Sequence, residues 1–444
     1  MMLDKIRFLF LSSRPNQLIS LDELPMSSKN SADLSKRRVV VTGIGLISPV
    51  GNDLDSSWRS IIAGESGLGY ISRFSAVDYE YPIAAEVKNF QPAEFLDPKL
   101  ERRIDLSTSF AMVAARQAWS DAGLEQSQVN PNRSGIVVGT GIGGGHLMVE
   151  AQRVLDEKGP RRVSPFLITN MLADTASGLI AIDLGLKGPN FAVTAACATG
   201  GAATGEAISV IQRGEADIVL AGGHEAPLQP VFYAGFNAMK ALAVSDNPVE
   251  AVKPFDSDRN GFILGEGAAV LVLEESERAV ARGAHIYAEC KSAATSSDAF
   301  DMVAADGTGI ANAMAEALKQ AELSPQDIDY INAHGTGTLL NDKVETKAIK
   351  SVFGESAYEL AVSSTKAATG HLMGAAGAVE AALTVLAIEN NILPPTLNYR
   401  SPDPECDLDY VPNSARPREI RNAISTSVGL GGHNSAMIFS QWAG

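Results

Sequence analysis

From Arg37 to the end of the chain, short apolar runs bounded by glycine alternate with longer stretches of helical period. That alternation restricts the chain to an α/β architecture, in which helices pack on a sheet. The spacing predicts strands at Val39 to Thr42, Ile136 to Val138, Tyr330 to Ala333, Leu360 to Ser363 and Ile424 to Val428. Helices are expected over Leu54 to Ala63, Ser107 to Ala122, Val344 to Phe353 and Met373 to Glu389. The two series read as a loose duplication of one plan. The copies are expected at residues 37–285 and 286–444, joined by a charged bridging helix over Glu274 to Arg282. Abundant glycine and alanine point to closely packed small-residue helices rather than disorder.

Residues 1–36 stand apart, with an apolar run at Ile6 to Leu11 and then a polar stretch without period. The run is too short for a secretory signal, and Asp4, Asp22 and Glu23 argue against a transit peptide. A disordered extension, or an upstream mis-start with Met26 as initiator, is the expectation. The longest apolar runs, such as Ala381 to Ile388, fall short of a membrane span. A net charge of −16 argues against general binding to nucleic acid or anionic membranes, so an acidic partner would need a local basic patch. The three cysteines, Cys197, Cys290 and Cys406, lie far apart without metal-ligand spacing. A soluble protein of a reducing, cytoplasmic compartment is expected.

Cys197 sits where a short apolar strand gives way to a helix of very small residues, expected over 198–213. Unpaired N–H groups and the positive end of the helix dipole favour a thiolate there, and the same N–H groups could hold an oxyanion. A buried structural cysteine is the competing reading. Of six histidines, His334 closes the strand Tyr330-Ile-Asn-Ala and opens a glycine-rich turn, while His371 lies between a strand and a Gly/Ala-rich helix. Strand ends are where α/β folds place sites. Val428-Gly-Leu-Gly-Gly-His-Asn434 is a third glycine-rich strand end. Gly139 to Gly144 matches the dinucleotide fingerprint, but no strand ending in an acid follows at the expected distance, so it reads as a glycine loop of close backbone approach.

Taken together, these motifs resemble the β-ketoacyl-acyl carrier protein synthases, and among them the type II elongating condensing enzymes. The resemblance runs from about Arg37 to Phe439. It rests on Val39-Val-Val-Thr-Gly-Ile-Gly45, Ala196-Cys-Ala-Thr-Gly200, Pro254 to Gly261, Gly265-Glu-Gly267, Asn332-Ala-His-Gly-Thr336, Asn341-Asp342 with Glu345, Ser363 to His371 and Gly431-Gly-His-Asn434. It implies a thiolase-like fold of duplicated halves in a five-layered αβαβα sandwich, paired as a homodimer. The implied reaction is decarboxylative Claisen condensation: an acyl chain moves to Cys197, malonyl-carrier protein loses CO2, and the carbanion attacks the acyl-enzyme. His334 and His371 would donate N–H bonds to the malonyl thioester oxygen. The backbone N–H groups of Cys197 and Leu430 would form the oxyanion hole. Lys366 is expected to orient His371 and Glu345 rather than touch substrate. No metal or organic cofactor is implied, because the phosphopantetheine arm travels with the carrier. Arg102, Arg103, Arg161, Arg162 and Lys240 match positions that would dock that acidic carrier.

This chain departs from the family's Phe-Gly-Phe-Gly-Gly loop, reading Val428-Gly-Leu-Gly-Gly432. The second aromatic ordinarily gates the acyl pocket together with the facing Asp298 segment, which is also shorter here. A more open pocket for an unusual acyl chain, branched or polyketide-like, is the expectation. The competing functions are a coenzyme A thiolase and a chain-length partner subunit. The first would need a second catalytic cysteine, whereas Cys406 lies in an acidic turn. The second usually lacks the nucleophile.

Overall fold

The protein is described by a computed structural model covering residues 37–444. The expectations for residues 1–36, Met26 included, lie outside the described residues. Ten strands form one continuous sheet: β1 (Val39–Ile47), β2 (Ser134–Gly139), β3 (Asn190–Phe191), β4 (Ile218–Glu225), β5 (Gly267–Glu275), β6 (Ala288–Ser297), β7 (Tyr330–Asn332), β8 (Ala361–Ser363), β9 (Asn422–Gly429) and β10 (His433–Ser440). Their spatial order is β8-β7-β9-β10-β6-β1-β5-β4-β2-β3.

The duplication is written into that order. Reading inward from either edge, each half places its own third, second, fourth, fifth and first strands in sequence. The directions repeat as well. In both halves the second strand runs parallel to the third and fourth, and the fifth runs antiparallel to the fourth and first. The halves join where β1 and β6 pair, Val39 opposite Cys290.

Two helices, α3 (Thr199–Gln212) and α6 (Ala376–Asn390), lie between the two halves of the sheet and pack on both. Every residue of α6 from Ala376 to Ile388 is buried, as a helix apolar on all sides requires. Small residues let the pair cross closely. A Cβ at Gly200 would stand 2.4 Å from the backbone nitrogen of Ala378. The outer layers are α1 (Leu106–Asp121) and α2 (Thr175–Leu184) on the first half, and α4 (Thr308–Ala321) with α5 (Asn341–Phe353) on the second. The five layers of the expected sandwich are therefore present.

The bridge differs from the expectation. Glu274 belongs to β5 and is fully buried, paired with Arg278 and Arg282, and the helix covers only Ser276–Ala281. Two arginines a helical turn apart draw Glu274 into the sheet, so the charged segment turns a corner instead of spanning one.

Candidate active site

The position of Cys197 is built from strain and a small hydroxyl. β3 ends at Phe191, a single 3₁₀ turn covers Ala196–Ala198, and α3 begins at Thr199. Ala196 is held at φ +47°, a conformation that persists only where its surroundings enforce it. Thr199 does so: its Oγ1 accepts the Ala195 N–H at 2.8 Å and donates to the Ala196 carbonyl at 2.8 Å. Cys197 then faces the β9–β10 hairpin, whose Leu430 N–H pulls the proton affinity of its sulfur down.

The electrostatics at Cys197 differ from the sequence reading. Burial pushes its thiol up to about 11, against the opposing pull of the Leu430 N–H and the Lys366 charge. The dipole of α3 acts in the same lowering direction but does not replace lost water. The resting group is a thiol, and its proton must leave as the sulfur reacts.

Both histidines are fixed through their backbones. The His334 and Gly335 N–H groups donate to the two oxygens of Glu345 at 2.8 Å each, and Thr426 donates to the same carboxylate at 2.9 Å. The His371 N–H donates to the Ile263 carbonyl at 2.7 Å. The rings meet edge to face with centroids 5.2 Å apart, and Phe262 packs edge-on against His371 at 5.2 Å. Burial, and then the Lys366 charge, hold both imidazoles well below the ordinary histidine range. They are neutral. Among the described residues neither Nδ1 has a hydrogen-bond partner, so the tautomer with hydrogen on Nε2 avoids burying an unused donor.

Lys366 corrects an expectation. Its ammonium pairs with Glu380 on α6, not with Glu345, and both partners are buried. Glu345 serves as a backbone strut for His334. Glu380 went unnoticed in the sequence, although a carboxylate inside the apolar run Ala376 to Ile388 is a signal in itself: a charge there must be paired. Glu225 was missed too. Its carboxylate takes up the Gly141 and Ile142 N–H groups, which makes Gly139 to Gly144 a self-satisfied loop rather than a phosphate cradle.

Cys197, His334 and His371 line one cavity of ≈ 310 Å³. Phe236, Phe262 and Met373 form apolar wall, Asn260, Thr336, Thr338 and Asn341 polar wall, and Met239, Lys240, Val303 and Leu339 the rim. Val428, Leu430, Gly432 and Asp298 also line it. Asp298 clips the two facing loops together, accepting the Asn434 amide at 3.0 Å and the Gly309 N–H at 3.1 Å while its own N–H donates to the Gly432 carbonyl at 2.9 Å. The Gly431 N–H donates to the Met302 carbonyl at 2.9 Å. Of the basic residues singled out for docking, only Lys240 lines the cavity. Arg102, Arg103, Arg161 and Arg162 are exposed elsewhere, with the Arg103 guanidinium 5.0 Å over the Phe166 ring. Cys406 is fully buried and does not line the cavity.

Comparison with known proteins adds to this geometry. The family model for the beta-ketoacyl synthase N-terminal domain matches residues 36–279, and that for the C-terminal domain matches residues 287–400. The chain is 47% identical over 414 residues to the 3-oxoacyl-[acyl-carrier-protein] synthase 2 of Synechocystis sp., covering 93% of this chain and 100% of the relative. It is 45% identical over 408 residues to the protein of that name from Staphylococcus aureus, covering 91% and 99%. Among solved structures it resembles a type II PKS acyl-carrier protein in complex with its ketosynthase, with a TM-score of 0.85, 35% identity, and coverage of 91% of this chain and 100% of the other.

Proposed function

This chain belongs to the β-ketoacyl synthase family, and we propose that its cavity carries out the 3-oxoacyl-[acyl-carrier-protein] synthase reaction of fatty-acid elongation. The observation that carries this reading is the meeting, in one cavity, of a buried cysteine held by a backbone N–H and two neutral histidines.

In the first step the Cys197 sulfur attacks the acyl thioester carbon. The bond from that carbon to the carrier's sulfur breaks, and the departing carrier thiolate takes the proton that Cys197 gives up. The N–H groups of Cys197 and Leu430 stabilise the oxyanion between those events. In the second step the bond from the malonyl methylene to its carboxylate breaks and CO2 leaves. The electron pair enters an enolate whose oxygen accepts from the Nε2–H groups of His334 and His371. A neutral imidazole suits this role, since it donates without first having to be charged. The enolate carbon attacks the acyl carbon on Cys197, the bond from that carbon to the sulfur breaks, and the departing thiolate takes up a proton from solvent to restore the resting thiol. Lys366, paired with Glu380, positions the histidines by charge, and Glu345 holds the His334 backbone.

The carrier's phosphopantetheine arm fits the polar wall of Asn260, Thr336, Thr338 and Asn341, with Lys240 at the mouth for an acidic carrier. The exposed arginines Arg102, Arg103, Arg161 and Arg162 would extend that landing site. Exposed Ile168, Leu172 and Ile182, beside the sheet's edge strand β3, support a homodimer. No helix among the described residues is long and apolar enough to cross a membrane, and Cys197, Cys290 and Cys406 are unpaired, which supports a reducing, cytoplasmic setting.

Leu430 is the observation that favours a variant of this reading. It stands on the cavity wall where the family's loop carries an aromatic side chain, which supports acceptance of bulkier or branched acyl chains. Acyl-carrier plus malonyl-carrier should yield a β-ketoacyl-carrier with the native protein and none with Cys197→Ala. Decarboxylation without condensation by the native protein would overturn the reading in favour of a chain-length partner subunit.

A further inference from the structure

Two loops flank the reacting sulfur, and one carboxylate ties them together. The first is Thr140 to Gly144, which follows β2 and lies against the turn before Cys197. A Cβ at Gly141 would stand 3.3 Å from the Ala196 carbonyl oxygen, and Thr194 donates to the Thr140 carbonyl at 3.2 Å. The second is His371 to Gly374, which carries the catalytic histidine into α6. The loops touch backbone to backbone. A Cβ at Gly374 would stand 2.3 Å from the Gly141 nitrogen, so Gly374 tolerates no side chain.

Glu225, at the end of β4 and almost wholly buried, reaches between them. Its Oε1 accepts from the Thr140 hydroxyl at 2.7 Å and the Ile142 N–H at 3.2 Å. Its Oε2 accepts from the Gly141 N–H at 2.8 Å and the Gly374 N–H at 3.0 Å. The turn packed against the first loop and the second loop itself each hold a non-glycine residue at positive φ next to the chemistry: Ala196 at +47°, immediately before Cys197, and Met373 at +50°, on the cavity wall two residues past His371. Strained conformations of this kind last only where other bonds over-determine them. Among the described residues, the Glu225 carboxylate is the one group that hydrogen-bonds both loops.

We propose that Glu225 is a positioning residue which ties the loop at residues 140–144, on which the nucleophile turn rests, to the His371 loop, so that Cys197 and His371 are held in one fixed relation through both half-reactions. The inference rests on the reaction proposed above. Its second effect is electrostatic. Glu225 and Glu380 raise the Cys197 thiol while Lys366 lowers it, and His334 and His371 beside it are neutral. Glu225 therefore opposes an idle thiolate while it aligns the productive attack.

The test compares native protein with Glu225→Gln, which keeps size but swaps an acceptor oxygen for a donor amide. Three quantities are read: condensation kcat, carrier KM, and the pH dependence of Cys197 alkylation by iodoacetamide. The inference expects kcat to fall at least tenfold with KM within about twofold, while alkylation at pH 8 becomes faster because a neighbouring negative charge is gone. Glu225→Asp, keeping the charge but reaching less far, should restore the native alkylation profile and leave kcat low. A folded Glu225→Gln with native kcat, or with a native alkylation profile, overturns the inference. Should Glu225→Gln fail to fold, Thr140→Val decides: it removes one of the four bonds, and native kcat in that variant counts against the lock. Native protein that alkylates at Cys197 but never condenses would instead sink the proposed reaction.

Discussion

His334 and His371 stand edge to face with 84° between their ring planes, and burial, followed by the Lys366 charge, lowers the proton affinity of both. The folded protein therefore keeps two imidazoles neutral that an unfolded chain would protonate near pH ~6.5.

The sign of the resulting pH effect follows. Below pH ~6.5 the unfolded state binds more protons than the native state, so stability falls as pH falls, by up to ~1.4 kcal/mol per histidine per pH unit. Glu225, raised to about 7 by burial, and Asp342, raised to about 6 by burial, act in the opposite direction. The difference between native protein and a His334→Asn/His371→Asn double variant isolates the histidines. Thermal melts from pH 7 to 5 should show a steeper decline for the native protein; equal slopes would contradict neutral histidines.

Lys366 and Glu380 form an ion pair with both side chains almost fully buried. Removing one partner strands the other charge, so Lys366→Ala should lose ~3–5 kcal/mol in urea unfolding. Lys366→Met with Glu380→Met should recover much of that stability but not the condensation rate. A single variant as stable as the native protein would show that the pair is not buried as described.

Much of this arrangement was legible in the sequence, because it depends on local pattern. His334 lies two residues past β7, while Cys197 and His371 lie six and eight residues past β3 and β8, all in the connections that follow strands, and such connections converge on one edge of an α/β fold. The duplication could be read for the same reason, though not the strand order that proves it. Less legible were the partners. Lys366 reaches Glu380 across a helix turn boundary, and Glu225 reaches Gly374 from another half of the sheet, so neither pairing leaves a spacing in the chain. The burial that raises the Cys197 thiol leaves no mark in the sequence, whereas the helix start that would lower it does.

Leu430→Phe should narrow the cavity beside Cys197. Across a panel of acyl-carriers, the variant is expected to lose branched or bulky substrates by about tenfold in kcat/KM, in line with what pocket shape is worth in discriminating apolar groups. Straight saturated chains should change little. An unchanged profile, with the native protein already restricted to straight chains, would remove the open-pocket reading.

Lys240 is exposed at the cavity rim. Lys240→Glu should raise the carrier KM several-fold at low salt and less at high salt, with kcat preserved, because a rim charge acts mainly on encounter. Arg161→Glu should do the same if the exposed arginines extend the landing site. Salt-independent kinetics identical to the native protein would exclude either residue from docking.

The central claim is that Cys197 carries the growing chain and gives it up to a carbanion made beside His334 and His371. Intact mass of the protein, recorded first with acyl-carrier alone and then after malonyl-carrier is added, tests it directly. One acyl adduct on Cys197 should appear, persist without malonyl-carrier, and vanish as β-ketoacyl-carrier forms in equal amount. An adduct elsewhere, or one that malonyl-carrier leaves in place while CO2 is released, would contradict the account.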